Sequence, residues 1–485
     1  MNVRAVIFGA LIFIFTAPYF FGLIVSKFSL RWPADFFDLV VTSVLQALLS
    51  SFGAILIGAI GALGLLRMSR RWEIVALAPA VVPSIAVVLG FMTWFPEWRG
   101  LTAVVTIHAF LSGGLVAVVL ARQVRGTVGA SMELAWVEGA SRFDVWRFGL
   151  WPALANDFRR LALSIFAASF ASFSIPLLVG GSRAVNLEIA IHQAIRFDGA
   201  WDIAASLSLF QWACLLMAVF LLKESPKEAT RSEGDSALRA EVGRFLGVRG
   251  AVILLLIAPT LVVSALLSGP VLGWNQLSTA GLFEFRDSFR LALQGSIVTS
   301  TLSGFFVMVI LFLFAAVYPS RASRLWISGY VAPSVAITGF STLAFGWGAD
   351  PSFALDSLRI SVGAALLFAP VIWRLRWEQA LARLDGQVKV AMTLGASHAM
   401  IVRHVIAPSV RELVFWSGGL VAFWVWGDYA IGSMAASRPM TLALIGKGLL
   451  ESYRLDAASL VILTCLIFGG ASYKAFSWGG SSVAR

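Results

Sequence analysis

Long apolar stretches recur along the whole chain, and shorter polar stretches separate them. A membrane-spanning helix needs about 20 mostly apolar residues, because every backbone polar group in hydrocarbon must be satisfied inside the segment. The pattern therefore predicts an all-α membrane protein with about twelve transmembrane helices. The predicted spans lie near residues 4–25, 37–66, 74–95, 101–121, 158–180, 202–222, 250–272, 287–316, 325–347, 357–373, 412–434 and 455–476.

The two halves of the chain repeat each other. Pro-Ser-Ile-Ala at 83–86 recurs as Pro-Ser-Val-Ala at 333–336, and Ala-Ala-Ser-Leu at 204–207 recurs at 457–460. Such matches at a nearly constant offset indicate an internal duplication. Six spans per repeat make the two repeats parallel in the membrane. We expect a first repeat over 1–222, a polar cytoplasmic linker over 223–249 and a second repeat over 250–485.

The basic residues indicate how the chain is oriented. With both termini in the cytoplasm, 26 of the 37 Lys and Arg residues fall on the cytoplasmic side, which is the bias found in membrane proteins. Anionic lipid headgroups account for the net charge of +11, so the charge does not require a nucleic-acid partner. The composition agrees, since 59% of the residues are hydrophobic and only 13% are charged.

Two long cytoplasmic loops, at 122–157 and 374–411, carry the same spacing of residues. In each loop an Ala precedes a Gly by four positions, Ala-Ser follows the Gly, and a Pro lies thirteen positions after it. Glycine can end a helix in the left-handed conformation, and the serine can cap the next helix. Ser141 and Asp144 have the spacing of a capping box, which the second loop lacks. The candidate coupling residues are Glu133, Ala135, Gly139, Ala140, Ser141, Pro152, Lys389, Ala391, Gly395, Ala396, Ser397 and Pro408.

These loops resemble the EAA signature of the permease subunits of type I ATP-binding-cassette (ABC) importers. The stretches at 170–173 and 187–195 are similar to the fused thiamine permeases, and the fused ferric-iron permeases are similar over the same region. The resemblance implies a type I permease fold, in which the short helix around each glycine docks in a groove of a separate ATPase, one copy per loop. Leu134, Val390 and Lys389 depart from the signature, and Lys389 stands where an acid is usual.

The chain lacks the residues for chemistry of its own. No segment has the phosphate-binding pattern Gly-x4-Gly-Lys-Ser/Thr, and the histidines and cysteines do not have metal-ligand spacing. We therefore expect a non-catalytic subunit without a cofactor, served by a separate ATPase. The short outward loops predict a separate extracytoplasmic solute-binding protein, and this arrangement favours a bacterial inner membrane.

Four residues are candidates for the solute pathway: Asp428, its repeat counterpart Ser172 at an offset of 256, and the two prolines Pro83 and Pro333. An acid within a span is expensive and often functional. Asp428 can attract a cationic solute or serve as a hydrogen-bond partner near a helix end. The prolines are expected to kink their spans. A proton-coupled secondary carrier with six plus six spans remains the alternative function.

The predicted orientation can be tested in the linker. A single cysteine introduced by Ser232→Cys should resist an impermeant thiol reagent added to intact cells, because the reagent cannot reach the cytoplasm. Labelling should appear once the cells are opened. Equal labelling before and after opening would reverse the assigned orientation.

Overall fold

The structure is a computed structural model, and it describes residues 6–13, 16, 24, 27, 29–127, 138–144, 147–148, 151–181, 184–221, 247–269, 282–317, 334–344 and 349–481. Over this part of the chain the regular elements are all helical, which confirms the predicted all-α membrane fold. The helices are α1 (Phe36–Leu65), α2 (Arg71–Val81), α3 (Ser84–Trp94), α4 (Leu101–Thr127), α5 (Arg142–Asp144), α6 (Trp151–Phe170), α7 (Leu187–Arg196), α8 (Trp201–Leu221), α9 (Ile253–Ser268), α10 (Leu282–Val317), α11 (Val335–Ala344), α12 (Phe353–Ile372), α13 (Glu378–Thr393), α14 (His398–Ile401), α15 (Ala407–Trp426), α16 (Ala430–Ala435), α17 (Leu442–Glu451) and α18 (Leu455–Ser481).

Short turns of other helix types join several of these elements. A 3-10 turn at Arg249–Val252 leads into α9, and π-helical turns occur at Pro176–Gly180, Trp373–Trp377 and Val402–Ile406. Within the described ranges, eight helical stretches are long and apolar enough to cross a membrane, and the bent pair α2 and α3 makes a ninth. About half of each predicted span near 4–25 and 325–347 lies outside the described residues, and α6, in the fifth predicted span, is not among these nine. The total of twelve therefore stays a prediction.

The third predicted span is broken at Pro83. The axes of α2 and α3 differ by 91°, and both Val82 and Pro83 have extended backbone between them. Proline lacks the N–H that a continuing helix needs, and it disfavours helical geometry at the residue before it. The kink expected at Pro83 is thus confirmed. Its counterpart Pro333 lies outside the described residues.

Two predicted spans end earlier than expected. The fifth was expected to run to residue 180, but α6 ends at Phe170 and the chain resumes as a π-helical turn that begins at Pro176. The eleventh was expected to run to residue 434, but α15 ends at Trp426 and α16 starts only at Ala430. Apolar composition alone could not show these ends. At the end of α6, Gln46 and Asn186 donate to the carbonyls of Ser169 and Ser172, and after α15, Asp428 caps the next helix.

The described chain forms two compact units. Unit A contains Phe37–Asn186 and Met217–Val271, and unit B contains Met1–Phe36, Leu187–Leu216 and Leu272–Arg485. The units differ from the expected repeats in sequence, because each unit takes segments from both halves of the chain. The repeat boundaries concern similarity in sequence, whereas units A and B are defined by contacts. The division by contacts does not test the repeats, which remain a prediction.

The core of unit B extends from its long helices into the second predicted loop. Trp373 and Trp377 stack with their ring centres 5.9 Å apart, and both are almost completely buried. The indole N–H of Trp377 donates to the hydroxyl of Ser417 at 2.9 Å, so the polar atom of this buried ring is satisfied. Leu381 and Val388 of α13 belong to the same core. The helix of the loop is therefore packed firmly onto the long helices.

In unit A, a buried acid joins the ends of three helices. Glu73 of α2 is 4% exposed and accepts hydrogen bonds from Arg122 at 2.9 Å and Arg125 at 2.6 Å, both on α4. Arg125 also donates to the backbone carbonyl of Leu65, the last residue of α1, at 2.5 Å. Close packing reinforces the contact, since a Cβ on Gly114 of α4 would lie 1.9 Å from the Ala76 carbonyl oxygen of α2.

Glu73→Ala should destabilise unit A, because it leaves Arg125 half-buried without its carboxylate. The loss of such a partner lowers the free energy of unfolding by about 1–3 kcal/mol. We expect the thermal unfolding midpoint of the purified protein in detergent to fall by a few degrees. Glu97→Ala, which removes an exposed acid of the same unit, is the matched control. Equal midpoints for the two variants would contradict the role given to Glu73.

Candidate functional site

The second coupling segment, residues 374–411, reverses direction at Gly395. Helix α13 ends at Thr393, and Gly395 adopts a φ of +81°. The Gly395 N–H donates to the Met392 carbonyl at 3.1 Å, and the Ala396 N–H donates to the Ala391 carbonyl at 3.0 Å. This pair of bonds is a Schellman motif. Ser397 then caps α14 by accepting the Met400 N–H at 3.3 Å, as the sequence pattern predicted.

The first coupling segment, residues 122–157, has the same local geometry at its centre. Gly139 also has a φ of +81°. The Ser141 hydroxyl accepts the Asp144 N–H at 3.2 Å, and the Asp144 carboxylate accepts the Ser141 N–H at 3.3 Å. The predicted capping box is therefore formed, and it starts α5. Glu133 and Ala135 lie outside the described residues, so their placement stays a prediction.

The tip of the second coupling segment is apolar and exposed. Leu394 is 81% exposed, and Val390, Met392 and Met400 are each about half exposed or more. In the first segment, Phe143, Phe148 and Trp151 are likewise exposed. Exposed apolar groups clustered at one place are typical of a surface that another protein covers. Each described tip therefore has the character of a docking surface.

The remaining coupling residues divide into anchors and surface positions. Ala391 and Ala396 are half-buried and pack on the core of unit B, and Ala140 packs on a core of unit A. Their small side chains let the turn lie close to the helices behind it. Lys389 and Ser397 are exposed, as are Pro152 and Pro408 in the first turns of α6 and α15. Proline is favoured at the start of α6 because the first helical N–H groups have no intrahelical partner, whereas Pro408 directly follows the π-helical turn at Val402–Ile406.

Asp428 lies in the break between α15 and α16 rather than inside a continuous span. Its carboxylate accepts the N–H groups of Ala430 at 3.2 Å and Ile431 at 3.3 Å, so it caps the short helix α16. Ser172, its counterpart in the first repeat, lies in the break after α6, where its carbonyl accepts the side-chain amide of Asn186 at 2.9 Å. Both residues thus satisfy backbone or amide groups at equivalent breaks, each within its own unit.

The sequence analysis missed three buried acids, Glu73, Glu188 and Asp356, and among them Glu188 joins the largest number of helices in unit B. Glu188 of α7 is 0% exposed and accepts the Ala336 N–H at 2.8 Å and a side-chain N–H of Gln211. Burial raises the pKa of the Glu188 carboxyl to about 7, although these bonds and one from Ser334 oppose the shift. Helical spacing could have found it, because Glu188, Ile191, His192 and Ile195 recur on the buried face of α7.

A second feature that the sequence analysis missed is a polar contact that recurs at the offset of the predicted duplication. Gln46 of α1 accepts the Asn186 side-chain amide at 3.3 Å, and Asn186 directly precedes α7. At an offset of 250, Ser296 of α10 accepts the Leu442 N–H at 2.9 Å, and Leu442 begins α17. The two contacts lie at matching positions of the predicted repeats: Gln46 contacts the residue before α7, and Ser296 contacts the first residue of α17.

Comparisons with known proteins agree with this picture. Over 180 residues the chain is 31% identical to the thiamine transport system permease protein ThiP of Escherichia coli strain K12, an alignment that covers 34% of this chain and 33% of that protein. ThiP of Salmonella typhimurium strain LT2 matches with the same values. ThiP of Haemophilus influenzae strain Rd is 24% identical over 242 residues, or 43% of this chain and 45% of that protein.

The chain is thus a homologue of thiamine transport permeases over the aligned part, which confirms the resemblance seen in the sequence. The matched part spans about a third to under a half of the length of these relatives. No family model matches the chain. No solved structure matches it either.

Proposed function

We propose that the chain is the membrane-spanning permease subunit of a binding-protein-dependent ABC importer. The carrying observation is the pair of coupling segments, each with a glycine at a φ of +81° followed by a serine-capped helix. Their exposed apolar tips suit the groove of a separate ATPase, one copy per segment. The chain itself is non-catalytic in this proposal. Its homology with permeases named for thiamine transport supports the same function.

The packing of unit B suggests how movement of the ATPase would reach the long helices. Closure of the ATPase pair would push on the tip at Leu394, and α13 would pass the force on through buried Leu381 and Val388 to the Trp373–Trp377 turn. Close-packed interiors deform little, so such a core transmits displacement to the long helices behind it. A separate binding protein would deliver the solute from outside to a multi-pass protein of a bacterial inner membrane with cytoplasmic termini.

Thiamine is the solute that we propose. The three relatives are named for its transport, and thiamine carries a positive charge that Asp428 would attract. Ferric iron, suggested by the sequence resemblance, is not named by these relatives. The pathway residues Asp428, Ser172 and Pro83 lie at or beside helix breaks, where backbone groups can face a solute. Pro333 is included because its sequence matches Pro83 at an offset of 250.

Substitution of the two turn glycines tests the coupling role. Gly139→Val and Gly395→Val place a branched side chain at a φ of +81°. This costs about 1–2 kcal/mol, which lowers the population of the native turn by a factor of about five to thirty. We expect co-purification of the ATPase and ATP-driven thiamine uptake into vesicles to fall by that factor. Gly386→Val is the matched control, because Gly386 is exposed on α13 and has open space around it.

Two results would contradict the proposal. The first is normal ATPase binding and uptake in both valine variants. The second is uptake by the parent protein that runs on a proton gradient without ATP, which would make the chain a secondary carrier instead.

Two substitutions separate charge from capping at Asp428. Asp428→Asn keeps an acceptor oxygen for the α16 N–H groups but removes the charge, whereas Asp428→Ala removes both. If the charge attracts a cationic solute, both variants should lower thiamine uptake several-fold at unchanged basal ATP hydrolysis. Uptake that is normal in the Asn variant and reduced only in the Ala variant would leave Asp428 a helix cap and nothing more.

A further inference from the structure

Helix α7 belongs to the first repeat in sequence, but it packs on elements of the second. Its buried Glu188 contacts α11, which lies in the predicted ninth span. At its other end, Arg196 donates to the Ala436 carbonyl just after α16 at 2.9 Å. The rings of Trp201 and Phe340 meet beyond this point with their centres 5.6 Å apart. All these residues belong to unit B, so α7 is held at both ends by the second repeat.

Glu188 completes the start of α11. The first N–H groups of a helix lack intrahelical partners and carry a partial positive charge. The Ser334 hydroxyl accepts the Ile337 N–H at 3.1 Å, and the Glu188 carboxylate accepts the Ala336 N–H at 2.8 Å. Two of these groups are thereby satisfied, one by the helix's own cap and one by the other repeat. Removal of Glu188 would leave the Ala336 N–H buried without its acceptor.

The same carboxylate also fixes helix α8. Gln211 is 0% exposed, and its amide N–H donates to Glu188. The amide oxygen of Gln211 has no hydrogen-bond partner among the described residues, and neither has the Ser208 hydroxyl one turn earlier on α8. Glu188 thus joins α7, α8 and α11 through its hydrogen bonds to Gln211 and Ala336.

The second repeat has no equivalent of this carboxylate. Helix α17 corresponds to α7 at an offset of 255, both have ten residues, and Ala443 occupies the position of Glu188. A methyl group cannot accept a hydrogen bond. A hydrogen bond like that of Glu188 therefore cannot be made from the matching position, Ala443, of the second predicted repeat.

We propose that Glu188 is a positioning residue for transport: it ties helix α7 of the first repeat to the start of α11 in the second, so that both move together. The inference rests on the proposed function. Displacement of the second coupling segment reaches α12, α16 and α11 through the core of unit B, and Glu188 carries it on to α7 and α8 of the other repeat. Without this carboxylate, ATP hydrolysis would continue while solute passage is lost.

The test measures coupling rather than total activity. The permease is reconstituted with its ATPase and binding protein in vesicles, and thiamine taken up per ATP hydrolysed is determined. Glu188→Ala should lower this ratio at least about tenfold, given the size of hydrogen bonds to charged groups. Loss of folded protein would lower uptake and hydrolysis together and leave the ratio unchanged. Glu188→Gln, whose amide oxygen can accept the Ala336 N–H, should restore most of the ratio.

Gln193→Ala is the matched control, because Gln193 lies on the exposed face of the same helix. If Glu188→Ala does not reach the membrane, Glu188→Asp takes its place, since the shorter side chain cannot reach Ala336 and Gln211 together and should also lower the ratio. An unchanged ratio in whichever of these two variants is measured overturns the inference while the proposed function stands. A parent protein that takes up thiamine without ATP overturns both.

Discussion

Every backbone N–H and C=O group within hydrocarbon must find its partner inside the protein, and helix breaks are where this requirement is hardest to meet. Specific polar side chains meet this requirement at the starts of three described helices. Asp428 caps α16, Ser296 holds the first N–H of α17, and Glu188 takes an N–H of α11. Ser296 and Glu188 are buried side chains from elsewhere in the sequence, whereas Asp428 lies just before the helix that it caps. The position of each break is thus fixed by tertiary contacts as much as by the local sequence.

The polar contacts differ between the two halves that the sequence predicts to be repeats. Gln46 and Ser296 occupy equivalent positions and both hold the start of a short helix, although one acts through Asn186 and the other directly on a backbone N–H. Glu188 and Ala443 are equivalent in position but not in chemistry. Such differences leave the helix arrangement intact. A single polar contact involves few residues, whereas the fold depends on packing along whole helices.

The all-α class, the kink at Pro83 and the two glycine turns could be predicted from sequence, because each follows from a local rule. Twenty apolar residues make a span, proline breaks a helix, and glycine followed by Ala-Ser makes a left-handed turn and a cap. The ends of α6 and α15, the burial of Glu188 and the division into units A and B could not be predicted that way. They depend on which distant segments meet, and a single sequence carries that information only weakly.

The coupling segments show why the local rules held best at the proposed docking tips. Gly139 and Gly395 share a φ of +81° although their flanking residues differ, with a capping acid at Asp144 and Met400 at the equivalent place. If each tip docks one copy of the same ATPase, as proposed, both backbones must present the same shape, whereas the side chains around them need only pack on their own unit. Geometry at the tips is therefore kept by glycine and serine, and the difference between the repeats is left to the helices behind them, where Glu188 lies.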